Sequence, residues 1–168
     1  MEHDIYIFDE ITQTDAANII SDLNKLNFND TKNINIYICC CGGDLYGCFA
    51  ILNHFTYIRK KYGVHITTYG TGQVASAGFF LFLLGDTRIL YPMTRVFVHE
   101  HINYEEPEMT YSERKISNKE DDVVHRMYVD YISERLNIPN KDVVELLQKN
   151  KNLSDSEINI YKITNKEL

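Results

Sequence analysis

Residues 34–70, INIYICCCGGDLYGCFAILNHFTYIRKKYGVHITTYG, decide the fold. Positions 34–39 are β-branched and alternating, which reads as a strand, and they end at the Gly42-Gly43 turn. A helical apolar period follows over 45–59, and a further strand over 64–69. Strand, helix, strand is a βαβ unit with a right-handed crossover, so the two strands are parallel neighbours in one sheet. The pattern continues outward. Upstream, 5–8 reads as a short strand and 14–26 as a helix with Ala17, Ile20, Leu23 and Leu26 at helical spacing and Thr14 or Asp15 as N-cap. Downstream, a small-residue loop over 70–75 leads into an apolar helix, 76–84, closed by Gly85, with strands at 88–91 and 95–99. The fold class is therefore α/β.

The remainder differs in character. Residues 112–136 read as one long helix that is almost wholly polar as far as Asp122, after which Val124, Met127, Tyr128, Tyr131 and Ile132 form an apolar stripe. A helix half without a core-facing side projects from a globule or packs on another subunit. Shorter helices follow near 141–149 and from Ser154, where Ser154 and Glu157 have capping-box spacing.

Composition narrows the function. A 168-residue chain with 44% hydrophobic and 24% charged residues buries a core unaided, which excludes disordered and fibrous classes. Its net charge of −7 argues against nucleic-acid binding, which needs clustered Lys and Arg. No apolar run approaches membrane-spanning length, and the N-terminus lacks the features of a signal peptide. A cytoplasmic location is expected. Cys39, Cys40, Cys41 and Cys48 show no metal-ligand or redox spacing and read as small packing residues.

Two places could carry chemistry. In Gly70-Thr71-Gly72-Gln73-Val74-Ala75-Ser76-Ala77-Gly78 a single hydroxyl stands where a strand end meets a helix start, and unpaired N–H groups there suit a developing oxyanion. The plainer reading is that Ser76 is an N-cap and the glycines serve turns. His99 ends a strand, where catalytic groups gather on parallel sheets, and His101 follows two residues on. Zinc on His99 and His101 lacks a third ligand, whereas a neutral imidazole is a natural base for Ser76. His3, His54, His65 and His125 occupy ordinary settings. Gly42-Gly43 could lend a second oxyanion N–H or be only a turn.

In the order strand, CCCGGD, helix, strand, GTGQVASAG, helix, strand, TRVFVHEH, long helix, QKNKNLSDSE, the chain closely resembles ClpP, the proteolytic subunit of the Clp protease, over nearly its whole length. GQVASAG is similar to the family's GQAASMG, the P-x-x-R-V run into His99 to its PNSRVMIHQP, and LSDSE to its FLSAPEA. The resemblance implies a single ClpP-like domain over 1–168: a crotonase-like spiral of βαβ units, about 1–100 and 138–168, with a protruding handle helix at about 101–137. It also implies heptamer-like rings that stack into a double ring around a chamber, a serine endopeptidase activity on peptides or unfolded proteins, and no metal or organic cofactor.

Position by position, the resemblance makes Ser76 the nucleophile and His99 the general base, with Gly43 and Ala77 giving the oxyanion N–H groups. Substrate would lie as a strand between Gly42, Gly43, Asp44 and Leu45 on one side and Glu100 and His101 on the other. The third catalytic position, an aspartate in the family, falls on Asn150, which can orient an imidazole but cannot supply charge. Gln148-Lys149 replaces an acidic-Arg pair that links rings. The chain starts almost at its first strand, without the family's axial segment, and the cleft that docks a Clp-type ATPase falls on the rather polar set Asn35, Tyr37, Tyr69, Thr71, Ile89 and Tyr91. Coupling to such an ATPase is thus left open. Two rivals share this core: a silent or weak ring subunit acting through assembly, and another crotonase-spiral peptidase such as a viral maturation protease.

Overall fold

A computed structural model describes residues 1–100 and 110–167. The chain forms two compact units, one of Met1–Val98 with Asn152–Leu168 and one of His99–Lys151.

The first unit is built on parallel strands. β1 (Glu2–Ile11) leads to α1 (Gln13–Asn24), β2 (Asn33–Gly43) to α2 (Leu45–Tyr62), and β3 (His65–Ala75) to α3 (Ala77–Leu83), followed by β4 (Thr87–Leu90) and β5 (Arg95–Val98). β2 lies between β1 and β3. β3 is long enough to change partners: Thr67 to Gly70 pair with β4, and Gln73 to Ala75 pair with β5. That change of partner branches the ladder, with β4 and β5 both beside β3. It also corrects one expectation, because 70–75 is the second half of a strand and not a loop. The small residues that suggested a loop mark close approach instead: a Cβ on Gly72 would lie 2.8 Å from Cys39 Sγ.

Helix ends follow side-chain chemistry. Thr12, not Thr14 or Asp15, caps α1; its hydroxyl accepts from the Asp15 N–H while the Asp15 carboxylate accepts from the Thr12 N–H. Asp44 caps α2, which ends at Gly63 in the left-handed conformation, φ 64°. Every residue of α3 is buried, so the helix is apolar all round. Replacing one of its phenylalanines, Phe80 for example, by Ala would cost about 3–5 kcal/mol.

Along β2 the alternation is strict: Ile34, Ile36, Ile38 and Cys40 are fully buried, and the residues between them face the other side of the sheet. That second face carries a file of tyrosines across the strands. Tyr6 stacks on Tyr37 at 5.1 Å, Tyr37 on Tyr69 at 4.8 Å, and Tyr69 meets Tyr91 edge-on at 6.2 Å. Beside it Asn35 donates to Asp4, and the Thr71 hydroxyl to the Ile38 carbonyl. The last stretch of chain is tied back by Arg88, which donates to the carbonyls of Gly85, Lys162 and Ile163, and by the Leu153 N–H to Val96. Ser154 and Glu157 form the expected capping box at α6 (Asp155–Ile160).

The second unit contains α4 (Tyr111–Leu136) and α5 (Asn140–Gln148), and runs up to the short β6 (Lys151–Asn152), whose first residue is its last. α4 has no buried residue before Val124; from there Tyr128, Val129, Ile132 and Leu136 are buried, matching the buried Val143, Leu146 and Leu147 of α5. Thr110 and Glu113 form a capping box at its start, and Asn137, φ 54°, closes it. The long helix with a polar first half is thus as the sequence implies, and the fold is the α/β type expected. Among the described residues no helix is long and apolar enough to cross a membrane.

Candidate active site

The end of β3 and the start of α3 meet at Ser76. Its backbone has φ 52° and ψ −122°, a left-handed setting that a side chain adopts only at a cost of about 1–3 kcal/mol. Its hydroxyl makes no capping bond to the helix it precedes. Both facts weigh against the plain N-cap reading, since a capping serine has extended backbone and spends its oxygen on the second or third N–H. A strained strand-to-helix turn is instead the setting in which a nucleophilic hydroxyl stands at a helix start, where the first N–H groups lack acceptors within the helix.

The Gly42-Gly43 segment closes on the same point. Gly42 has φ 134°, and a Cβ there would lie 2.8 Å from Ser76 Cβ and 3.2 Å from its Oγ, so only glycine lets β2 pass this close to the hydroxyl. Gly43, φ 124°, is equally constrained, since a Cβ would come within 2.2 Å of the Ile11 carbonyl oxygen. Two thiols hold the surroundings from below. Cys40 donates to the Gly42 carbonyl and Cys48 to that of Ala77. Burial pushes the Cys40 thiol up to about 11 and raises that of Cys48 further, so neither is a thiolate near neutral pH. Asp44 is committed to the Gly47 N–H at 2.6 Å, and Leu45 is the first residue of α2, half-buried.

His99, one residue past β5, opens the second unit. Its Nδ1 lies 2.5 Å from the Glu100 carbonyl oxygen. A carbonyl only accepts, so Nδ1 carries the proton and the lone pair of the neutral ring sits on Nε2. This is the tautomer a general base needs, and it is set here by main chain. Asn150, in the same unit, is exposed, has φ 46°, and donates its backbone N–H to Leu147. Its side chain makes no hydrogen bond among the described residues. His101 lies outside the described residues, and Glu100 is exposed. Of the other histidines, His65 meets Thr87 Oγ1 at 3.0 Å, and burial lowers the pKa of His54.

The structure therefore brings Gly42 and Gly43 up to the Ser76–Ala77 turn within one unit, and places His99, Glu100 and Asn150 in the other. The Glu100 carbonyl as the group orienting His99 was not legible in the sequence, because a main-chain acceptor leaves no motif. No group of three or more metal-ligating side chains is found among the described residues.

The sequence model of the Clp protease family matches residues 1–166. Over 99 residues the chain is 33% identical to the ATP-dependent Clp protease proteolytic subunit 6, chloroplastic, of Arabidopsis thaliana, covering 57% of this chain and 35% of that protein. Over 100 residues it is 38% identical to the ATP-dependent Clp protease proteolytic subunit 1 of Shouchella clausii, covering 57% of this chain and 49% of the relative. The aligned parts thus span half or less of these relatives. With a family match over almost every residue and the spiral α/β architecture beneath it, the chain belongs to the Clp protease family.

Proposed function

We propose that this chain, acting as one ClpP-like domain, is a serine-type endopeptidase. Ser76 attacks the peptide carbonyl while His99 Nε2 takes its proton. The N–H groups of Gly43 and Ala77 receive the oxyanion. The amine departs with the proton from His99, and water then hydrolyses the acyl-enzyme by the same route in reverse. The substrate lies extended along Gly42, Gly43, Asp44 and Leu45 and the segment of Glu100 and His101, held by main-chain hydrogen bonds. No metal or organic cofactor takes part. The observation that carries this reading is the strained, uncapped Ser76 turn with Gly42 pressed against its hydroxyl.

The exposed first half of α4 supports assembly into a ring, since helical surface of this length is used between copies. Substrates are peptides or unfolded proteins entering that ring, in the cytoplasm. Labelling with a fluorophosphonate tests the chemistry: the adduct forms on Ser76 and is absent in Ser76→Ala. Sedimentation tests the assembly, with a monomer at micromolar concentration overturning it.

A second reading has its own observation. Asn150, to which the resemblance assigns the third catalytic position, carries no charge and makes no side-chain hydrogen bond among the described residues, which suits a weak or silent subunit that contributes to a ring rather than to turnover. Absence of labelling in the assembled protein favours this reading.

A further inference from the structure

β1 carries an irregularity at its far end. Asp9 has φ 71°, and the pairing with β2 slips between Phe8 and Glu10: Cys40 and Cys41 of β2 stand opposite Asp9 alone, so the extra residue lies in β2, before pairing resumes with Glu10 opposite Gly42 and Ile11 opposite Gly43. A bulge of this kind re-aims a side chain beside it. Here the side chain is Glu10, and its Cγ would lie 2.9 Å from a Cβ on Gly43. The stem of Glu10 thus lies along the bare face of Gly43, and its carboxylate is one bond further out. Gly42, which pairs with Glu10, is the residue in contact with Ser76. Glu10, the glycine pair and Ser76 all belong to one unit. Glu10 is exposed and makes no ion pair or side-chain hydrogen bond among the described residues.

A bare carboxylate in this position works against acylation. Negative charge develops on the substrate oxygen at the Gly43 N–H, and a neighbouring anion raises the energy of that state. A substrate that brings its own cation removes the penalty. Resting on the peptidase reading above, we infer that Glu10 is a specificity-determining residue that selects peptides with a Lys or Arg side chain beside the Gly42-Gly43 segment. The cation pairs with the Glu10 carboxylate and screens it from the oxyanion. The preference is expressed in kcat/KM, and because the pair is exposed to solvent it weakens with ionic strength.

The test uses the full-length protein and internally quenched peptides that differ only by Lys, Leu or Glu at successive positions around the cleaved bond. At one position the wild type prefers Lys over Leu by about three- to fivefold, the size an exposed charge pair supplies, and the ratio shrinks toward one at high salt. Glu10→Gln brings that ratio to about one, through faster cleavage of the Leu peptide as well as slower cleavage of the Lys peptide. Glu10→Lys reverses it in favour of Glu. A merely structural role would slow all peptides alike. A wild type that cleaves Lys and Leu peptides equally at every position overturns the inference, as does a preference that survives Glu10→Gln. An enzyme inert toward every peptide, with no label on Ser76, fails one step earlier and removes the peptidase reading itself.

Discussion

The two halves of the proposed catalytic machinery are specified in different ways. Around Ser76 the backbone does the work: two glycines at positive φ, a strained serine and an entirely buried helix leave one conformation available. Around His99 the parts are polar and only partly covered, His99 half-buried and Asn150 exposed, with one main-chain carbonyl on His99 Nδ1 and Asn150 hydrogen-bonded only through its backbone. A site of the first kind fails when atoms are added to it. One of the second kind can be tuned by exchanging a functional group.

The largest expected effect is at the hydroxyl itself. Ser76→Ala lowers kcat at least 10³-fold, the scale seen when a catalytic nucleophile is removed, while melting temperature stays equal or rises slightly because a positive-φ residue loses little by the change. Peptide turnover and thermal unfolding measured on one preparation check both parts; unchanged turnover would break the comparison. Gly42→Ala comes next. The added methyl must displace Ser76 from its 2.8 Å approach, so kcat falls about 100-fold with a stability loss of about 1–3 kcal/mol in a denaturant titration.

A smaller and opposite effect belongs to the tunable half. If residue 150 is the third catalytic position, as proposed, Asn150→Asp places a charge there and raises kcat/KM about tenfold, equivalent to about 1.4 kcal/mol of barrier, whereas Asn150→Ala lowers it. Equal values for all three proteins, in samples that assemble equally, would mean that residue 150 does not act on His99. The smallest effect concerns the helix caps, one in each unit. Hydrogen bonds from Thr12 hold the Asp15 carboxyl below its ordinary value of 3.8, and those from Thr110 hold Glu113 below 4.5. Each therefore contributes stability that is complete above the ordinary carboxylate range and is lost as pH falls through the lowered folded-state value. Amide chemical shifts of Asp15 and Glu113 should titrate with those depressed midpoints, and Glu113→Gln should abolish the acid fraying of the first turn of α4 while leaving α1 untouched.

The contrast also explains what could be read in the chain alone. Alternation of Ile34, Ile36 and Ile38 and the Gly42-Gly43 pair report local physics, so the βαβ order and the place of Ser76 were legible. Residues 70–75 read as a loop because small residues are shared by loops and by strands that others approach closely, and only the partners β4 and β5 decide between them. The cap of α1 lies two or three residues before the one the sequence suggests, because Asp15 acts at the third helical position, reciprocally with Thr12. The left-handed backbone at Asp9 had no signal beyond the tolerance of aspartate for it, and the partner of His99 is a carbonyl that every residue possesses.

The file of tyrosines across β1, β2, β3 and the end of β4 also makes the sheet its own reporter. The chain has no tryptophan, so its ultraviolet signals come from tyrosine and phenylalanine. Rings 4.8–5.1 Å apart and nearly parallel couple their transitions and pass excitation among themselves. Near-ultraviolet circular dichroism and tyrosine anisotropy should therefore follow the pairing of these three strands, and Tyr37→Phe, at the centre of the file, should dim both signals more than the loss of one chromophore in twelve would suggest.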